Sequence, residues 1–384
     1  MAINIRGLCR LNLGLTHNIF CKTPLTNGVR FMYSEKYLGV PTYENTRFTF
    51  RNQFVTIEET FRSKMLEVCK AEDGVVFVED VKAMLHLAQN NDDDIKLVTQ
   101  LIEKYVNCIK DQKFGSYVFG PVVMRMFYYL NKPEAALSLF QNPLLDEFFQ
   151  QKTSVQILFS LLYKHDKFDE IVALYEYLMS SEKRSSLVRF CTLVVMAACY
   201  KQNNPESFNF AVKCWEQQQE RCLFFARSLE ILAALAIRQN QPQMALELLS
   251  SLHRQQYITI RCLKILAYSQ WQKYIYIIPL LKSTLDVDDS MQKQTYFADV
   301  IYQLEENLKT ESGDWSELLD LIENIKKHDA LTTHTTLEEH LLKPVVSDQK
   351  YLQNRDGFRQ DREKPMNRNF GDRNRMRLNS RNQM

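Results

Sequence analysis

Between Thr153 and Ser186 the apolar positions fall into two helical stripes joined by a tight turn. Leu158, Phe159, Leu162 and Tyr163 recur at helical spacing in the first half, and Ile171, Leu174, Tyr175 and Leu178 in the second. Each predicted helix carries one apolar stripe, so the pair alone cannot bury both faces. It requires neighbours of the same kind.

The chain supplies them. With Ile171 as a marker, Ala136, Phe208 and Ala245 occupy the same place in three other units, at spacings of 35, 37 and 37 residues. Nine residues upstream of the marker stand Phe127, Leu162, Cys199 and Ala236, and seven upstream Tyr129, Lys164, Lys201 and Arg238. Three upstream are Pro133, Phe168, Pro205 and Pro242; four downstream are Phe140, Tyr175, Val212 and Leu249. Proline suits the first position of a helix, which has no intrahelical use for its N–H and gains from a preset φ. A period of about 35 residues with two helices per unit predicts an α-solenoid.

The four clear units run over 115–150, 152–186, 189–220 and 228–255. A weaker fifth covers 260–285, with Trp271 in its turn and Pro279 placed late in its second helix. Ahead of them, Thr56 to Glu59 spells a capping box opening a helix to about Lys70. A divergent first pair follows over 78–90 and 94–110. Its acidic turn, Asp92 to Asp94, is explained by the preference of a helix N-terminus for negative charge, without a bound cation. The chain holds 10 Gly, 10 Pro and 45% hydrophobic residues, which favours helix, and no apolar run reaches the ~18 residues of a membrane span.

The ends differ in character. Residues 1–34 carry Arg6, Arg10, Lys22 and Arg30 with no acid, and Leu8, Leu11, Leu15 and Ile19 can line one side of a helix. This is the pattern of a mitochondrial presequence rather than a secretory signal, with cleavage near Arg30 to Ser34; a disordered basic N-terminus would share the composition. After Leu285, eleven acids from Asp286 to Glu323 mark an acidic helical segment suited to capping a helical stack. From Lys350 the sequence turns Arg- and Asn-rich, with net charge +6, and should be disordered.

The run LLYKHDKFDEIVALYEYLM resembles the pentatricopeptide repeat family, with Lys164, Asp169, Glu170, Leu174 and Tyr175 on the family's consensus places. The strings KFGSYVFGPVVMRMFYYLNKPEAALSLF and YKQNNPESF extend the resemblance, which covers roughly residues 56 to 285. The Trp and Leu-Gly of tetratricopeptide units are missing from all four units. The resemblance implies an all-α fold: a right-handed α-solenoid of about five pentatricopeptide-like hairpins over 75–285. A helical extension over 35–74, an acidic helical cap over 286–349 and a disordered basic tail over 350–384 complete it. It also implies a non-catalytic protein of the mitochondrial matrix that binds single-stranded mitochondrial RNA, helps a precursor mRNA mature and so supports the respiratory chain. The alternative is a protein–protein adaptor for an RNA-processing enzyme or the mitoribosome.

Charge separates these readings only in part. The whole chain is +2, the tail +6 and residues 1–34 +4, which leaves −8 on residues 35–349. Affinity for nucleic acid comes mostly from phosphate neutralisation. An acidic solenoid must therefore gather its cations on one face or leave phosphates to the tail. Arg125, Lys164, Arg189, Lys201, Arg227, Arg238 and Arg261 are candidates for such a concave stripe, or are solvated surface; Arg373, Arg375 and Arg377 are candidates in the tail. The resemblance puts the principal base-reading place fifteen residues before the marker, at Pro121, Gln156, Leu193 and Glu230. Only Gln156 is retained as an RNA-binding candidate, since Pro and Leu cannot hydrogen-bond a base edge. About five repeats would select about five nucleotides, too few for a unique address.

Catalytic, metal and cofactor chemistry find little footing. His334 and His340 lack the His-Glu-x-x-His spacing, and there is neither a Cys-x-x-Cys pair nor a Gly-rich phosphate loop. Cys191, Cys199, Cys214 and Cys262 fall among apolar helical positions and read as core. The odd count of 9 Cys without pairing spacings fits a reducing compartment. Tyr163, Tyr175, Tyr177, Phe208 and Phe210 read mainly as packing between helices.

Overall fold

Helix starts and stops in this chain follow from a few recurring residues, and the same turn is made five times. The structure is a computed structural model that describes residues 32–109, 117–181, 184–219, 225–285, 294–311 and 313–346. In chain order α1 spans Glu35–Leu38, α2 Val40–Phe54, α3 Glu58–Lys70, α4 Val78–Leu87 and α5 Asp92–Ile109. Five pairs follow: α6 Gly120–Leu130 with α7 Pro133–Phe140, α8 Lys152–Lys164 with α9 Phe168–Ser180, and α10 Thr192–Gln202 with α11 Pro205–Gln219. The last two are α12 Ala226–Arg238 with α13 Pro242–Ser250, and α14 Ile258–Gln270 with α15 Ile277–Leu285. Then come β1 Tyr296–Phe297, α16 Ala298–Thr310, α17 Ser316–Lys327, β2 Leu331–Thr332 and α18 Leu337–Leu341.

Within each pair the first helix ends on a residue in the left-handed conformation, five positions before the marker: Asn131, Asp166, Asn203, Asn240 and, in the fifth pair, Gln272. Asn and Asp tolerate this conformation better than other non-glycine residues. In four pairs the next N–H closes the helix end by donating to a carbonyl five residues back. These bonds are Lys132 N to Phe127 O at 3.1 Å, Lys167 N to Leu162 O at 3.0 Å, Gln241 N to Ala236 O at 2.8 Å and Lys273 N to Tyr268 O at 2.9 Å. The second helix then starts at once, and Pro133, Pro205 and Pro242 are its first residue as the spacing predicts.

The pairs pack as sequential neighbours. Each first helix lies against the next one, from α6 through α8, α10, α12 and α14 to α16. Each second helix from α7 to α13 lies against its own first helix and the one that follows. The repeated positions supply the core: Ala136, Ile171, Phe208 and Ala245 are buried, as are Phe127, Leu162, Cys199 and Ala236. The four cysteines read as core are buried too. The only strands among the described residues are the two-residue parallel pair β1–β2. Among the described residues no helix is long and apolar enough to cross a membrane.

Two sequence expectations require correction. The helix after Thr56 begins at Glu58 with Ile57 at its N-cap and no side-chain cap. The preceding helix runs on to Phe54, and the sharp turn is fixed by Phe54 and Phe61, whose rings meet edge to face at 5.1 Å. Pro279 is the third residue of α15, not a late one, because a 3-10 turn over Tyr274–Tyr276 delays the helix start. Proline in a first turn blocks no intrahelical hydrogen bond. The acidic turn at Asp92 to Asp94 is internally satisfied: Asp94 pairs with Arg62 and accepts a 2.7 Å hydrogen bond from the Gln89 N–H.

Candidate nucleic-acid interface

One face of the stack is formed by the ends of the first helices, and a repeated pair of residues marks it. Eight residues before the marker stand Tyr128, Tyr163 and Tyr200, all buried; the next first-helix position holds Tyr129, Lys164, Lys201 and Arg238. The cation of one unit reaches back over the tyrosine of the unit before. Lys164 Nζ lies 4.7 Å from the centroid of the Tyr128 ring, and Arg238 Cζ 3.8 Å from that of Tyr200. Burial pushes all three phenol pKa values up, and nearby carboxylates add to the shift: Glu35 beside Tyr128, Asp166 and Glu338 near Tyr163, Glu338 near Tyr200. The Tyr163 and Tyr200 hydroxyls are buried with no hydrogen-bond partner among the described residues.

Two segments from opposite ends of the chain lie across this face. The first is the strand-like entry Met32–Ser34 with α1, where the Ser34 Oγ accepts from the Tyr37 N–H and caps the helix. Arg125 of α6 fixes it, donating from Nε to the Leu38 carbonyl at 2.8 Å; Gly39 follows in the left-handed conformation, so close that a Cβ would lie 3.0 Å from the guanidinium. Gln156 of α8 lies under Tyr37, with Nε2 3.5 Å from its hydroxyl. The Tyr33 hydroxyl donates to the Phe190 carbonyl at 3.1 Å.

The second segment is 336–345. A capping box of Thr336 and Glu339 starts α18, which buries Leu337 and Leu341 against α12 and α14. Arg227 of α12 holds the end of α18 by donating to the Leu341 carbonyl from Nε at 3.2 Å and from Nη2 at 3.0 Å. It also donates to the Lys343 carbonyl. Arg238 pairs with Glu338 at 3.0 Å, and Asp299 Oδ2 accepts from the Leu337 N–H at 3.1 Å. The two segments join: Val345 N–H donates to the Met32 carbonyl at 2.9 Å and Ser34 N–H to the Val345 carbonyl at 3.0 Å.

The sequence candidates therefore divide. Arg125, Gln156, Arg227 and Arg238 hold the terminal segments. Lys164 and Lys201 are half-buried at the ends of α8 and α10. Arg189 is exposed, with its guanidinium over the Phe190 ring at 4.5 Å. Arg261 is buried, donating to Thr284 Oγ1 at 2.9 Å and to the Thr295 carbonyl at 2.7 Å, away from any surface row. Arg373, Arg375 and Arg377 lie outside the described residues. Spacing alone did not single out the tyrosines at 128, 163 and 200, although their recurrence eight places before the marker was visible in it.

Comparison with known proteins adds an independent line. The chain is 24% identical over 283 residues to pentatricopeptide repeat-containing protein 2, mitochondrial, of Mus musculus, an alignment spanning 73% of each chain. To the Homo sapiens protein of that name it is 23% identical over 300 residues, covering 77% of this chain and 76% of the relative. To that of Xenopus laevis it is 30% identical over 220 residues, 56% of each chain. The chain is a distant homologue of these proteins. No protein-family model and no solved structure matches it.

The places that the pentatricopeptide resemblance assigns to base reading are shielded here. Gln156 and Leu193 are buried, and Glu230 is half-buried beside Arg227. Burial raises the Glu230 pKa from 4.5 to about 7, against the lowering influence of Arg227. The unfolded chain releases this proton at lower pH than the fold does, so Glu230 costs stability as pH rises from about 4.5 through about 7, and the cost persists above. Glu230→Gln is expected to raise the melting temperature at pH 8 by several degrees and to leave it unchanged at pH 4.5. Thermal denaturation at both pH values checks this; an equal gain at both would show that Glu230 is ionised in the fold.

Proposed function

We propose that the stacked pairs wind as a right-handed α-solenoid over 75–285, and that the chain is a non-catalytic mitochondrial protein that binds single-stranded RNA on its first-helix face. Homology to mitochondrial pentatricopeptide repeat-containing proteins supports the compartment and the RNA, and the family association supports a matrix role in maturation of precursor mRNA for the respiratory chain. The observation that carries the reading is the recurring cation at the end of successive first helices, Lys164, Lys201 and Arg238, the first two each one residue after a buried tyrosine and the third after the buried Ile237. One cation per repeat matches a backbone that presents phosphates at regular intervals, and single-stranded binders combine such rows with aromatic surface. Lys164 and Lys201, with Arg125, Arg189, Arg227 and Arg238 along the same run of units, would neutralise phosphates, while Arg373, Arg375 and Arg377 of the tail add charge. Met32 and Tyr33 are buried, which favours presequence cleavage ahead of Met32.

A second reading, a protein–protein adaptor for an RNA-processing enzyme or the mitoribosome, is favoured by the shielding of Gln156 and Leu193. The same experiment separates the two: affinity of the full chain for random-sequence single-stranded RNA across a salt series. The RNA reading predicts binding whose logarithm falls linearly with log salt, with a slope of several phosphate contacts. Absence of binding at low salt would leave the adaptor.

A further inference from the structure

Every first-helix guanidinium that grips the terminal segments is also a candidate phosphate ligand. Arg227 gives its donors to the carbonyls of Leu341 and Lys343, and Arg238 gives its charge to Glu338. The carboxylates of Glu35 and Glu338 are brought to the row of tyrosines from the two ends of the chain, Glu35 beside Tyr128 and Glu338 near both Tyr163 and Tyr200. We propose that residues 336–345 are an internal occupant of the RNA face, with the Glu338 carboxylate standing where a phosphate sits in the complex, and that RNA binds by displacing this strap. The inference rests on the RNA reading given above.

The attachment of the strap suits release. α18 has five residues, too short to persist once its neighbours let go. Its fully buried anchors are few, Leu337, Leu341 and Leu342, with Val345 partly buried and the His340 ring beside Phe297; polar contacts add two arginines, the Asp299 carboxylate and the bridge from Val345 to the 32–34 entry. A polyanion offers Arg227 charged acceptors stronger than backbone carbonyls, and offers Arg238 an anionic partner equivalent in kind to the Glu338 carboxylate. Exchange of one set of partners for the other leaves neither guanidinium without an acceptor. Gln156 of α8 is covered by the other segment, which the Tyr33–Val345 bridge joins to the strap.

Two measurements on the full chain test this, with random-sequence single-stranded RNA about ten nucleotides long, roughly twice what five repeats would span. In hydrogen exchange, the amides of Leu337, Leu342 and Val345, which donate to Asp299, Glu338 and Met32, are expected to exchange at least tenfold faster when RNA is bound. Glu338→Gln, which takes away the occupant's charge and leaves the candidate RNA ligands in place, is expected to bind the RNA about fivefold more tightly than the wild type. RNA binding with unchanged or slowed exchange over 337–345 overturns the strap while leaving the RNA reading intact. Absence of binding by both wild type and Glu338→Gln overturns both. Binding by Glu338→Gln alone supports the strap in its strongest form.

Discussion

Arg184→Ala is expected to destabilise the protein by about 3 kcal/mol. Arg184 is completely buried at the junction of two repeat units. Its guanidinium lies over the Phe140 ring at 4.6 Å and near that of Tyr177 at 5.9 Å. Nη1 donates to the Phe140 carbonyl at 3.1 Å, and Nη2 pairs with Asp146 at 2.7 Å. Removing it deletes the ring contact, leaves the carbonyl at the end of α7 without its donor and opens a void the size of a long side chain. Asp146 is one-third exposed and can rehydrate, which keeps the loss at the lower end for a broken buried pair. Arg184→Met, which refills the void without the charge, should lose about half as much. Urea denaturation midpoints measure both, and a loss below about 1 kcal/mol for Arg184→Ala would show that the junction repacks.

The double variant Lys164→Gln, Lys201→Gln is expected to weaken RNA binding on the order of tenfold and to make the salt slope shallower by about 1.4, at about 0.7 per contact for a single strand. Both lysines sit in the last turn of a first helix, where glutamine keeps the helical propensity and the stem but removes the charge. The variant leaves Arg227 and Arg238 and their bonds to the strap in place, so it tests phosphate contact with those bonds retained. An unchanged slope with weakened binding would mean that the lysines act indirectly. An unchanged affinity would place the phosphates on the tail.

The helix pairs were legible because their causes are local. Proline at a first helical position recurs in three of the four clear units, and apolar residues four places after and nine before the marker in all four; the structure puts the helices where those residues require. The left-handed turn was legible too: Asn131, Asp166, Asn203 and Asn240 stand five places before the marker, where spacing alone predicts only a tight turn. The capping box at Thr56 failed because packing of Phe54 on Phe61 outweighs one side-chain hydrogen bond. Pro279 was misplaced because a 3-10 turn of the kind over Tyr274–Tyr276 has no distinct apolar period.

The interface resisted for a different reason. Arg125, Arg227 and Arg238 look like surface cations in sequence, yet their acceptors lie 87, 114 and 100 residues away. Backbone carbonyls have no residue signature, so nothing in the order of side chains shows that Leu38 and Leu341 will present theirs to arginines. Arg261 is the extreme case, its partners being Thr284 and the carbonyl of Thr295 in a buried pocket. Periodicity locates a face; it does not show what already lies on it.

The central claim is that RNA is held on the first-helix face, and photo-crosslinking tests it most directly. A single-stranded RNA carrying 4-thiouridine would be irradiated with the full chain and the adducts mapped by mass spectrometry. The account predicts adducts on α8, α10 and α12 near Lys164, Lys201 and Arg238, together with the tail. Adducts confined to the tail or to α7, α9, α11 and α13 would contradict it.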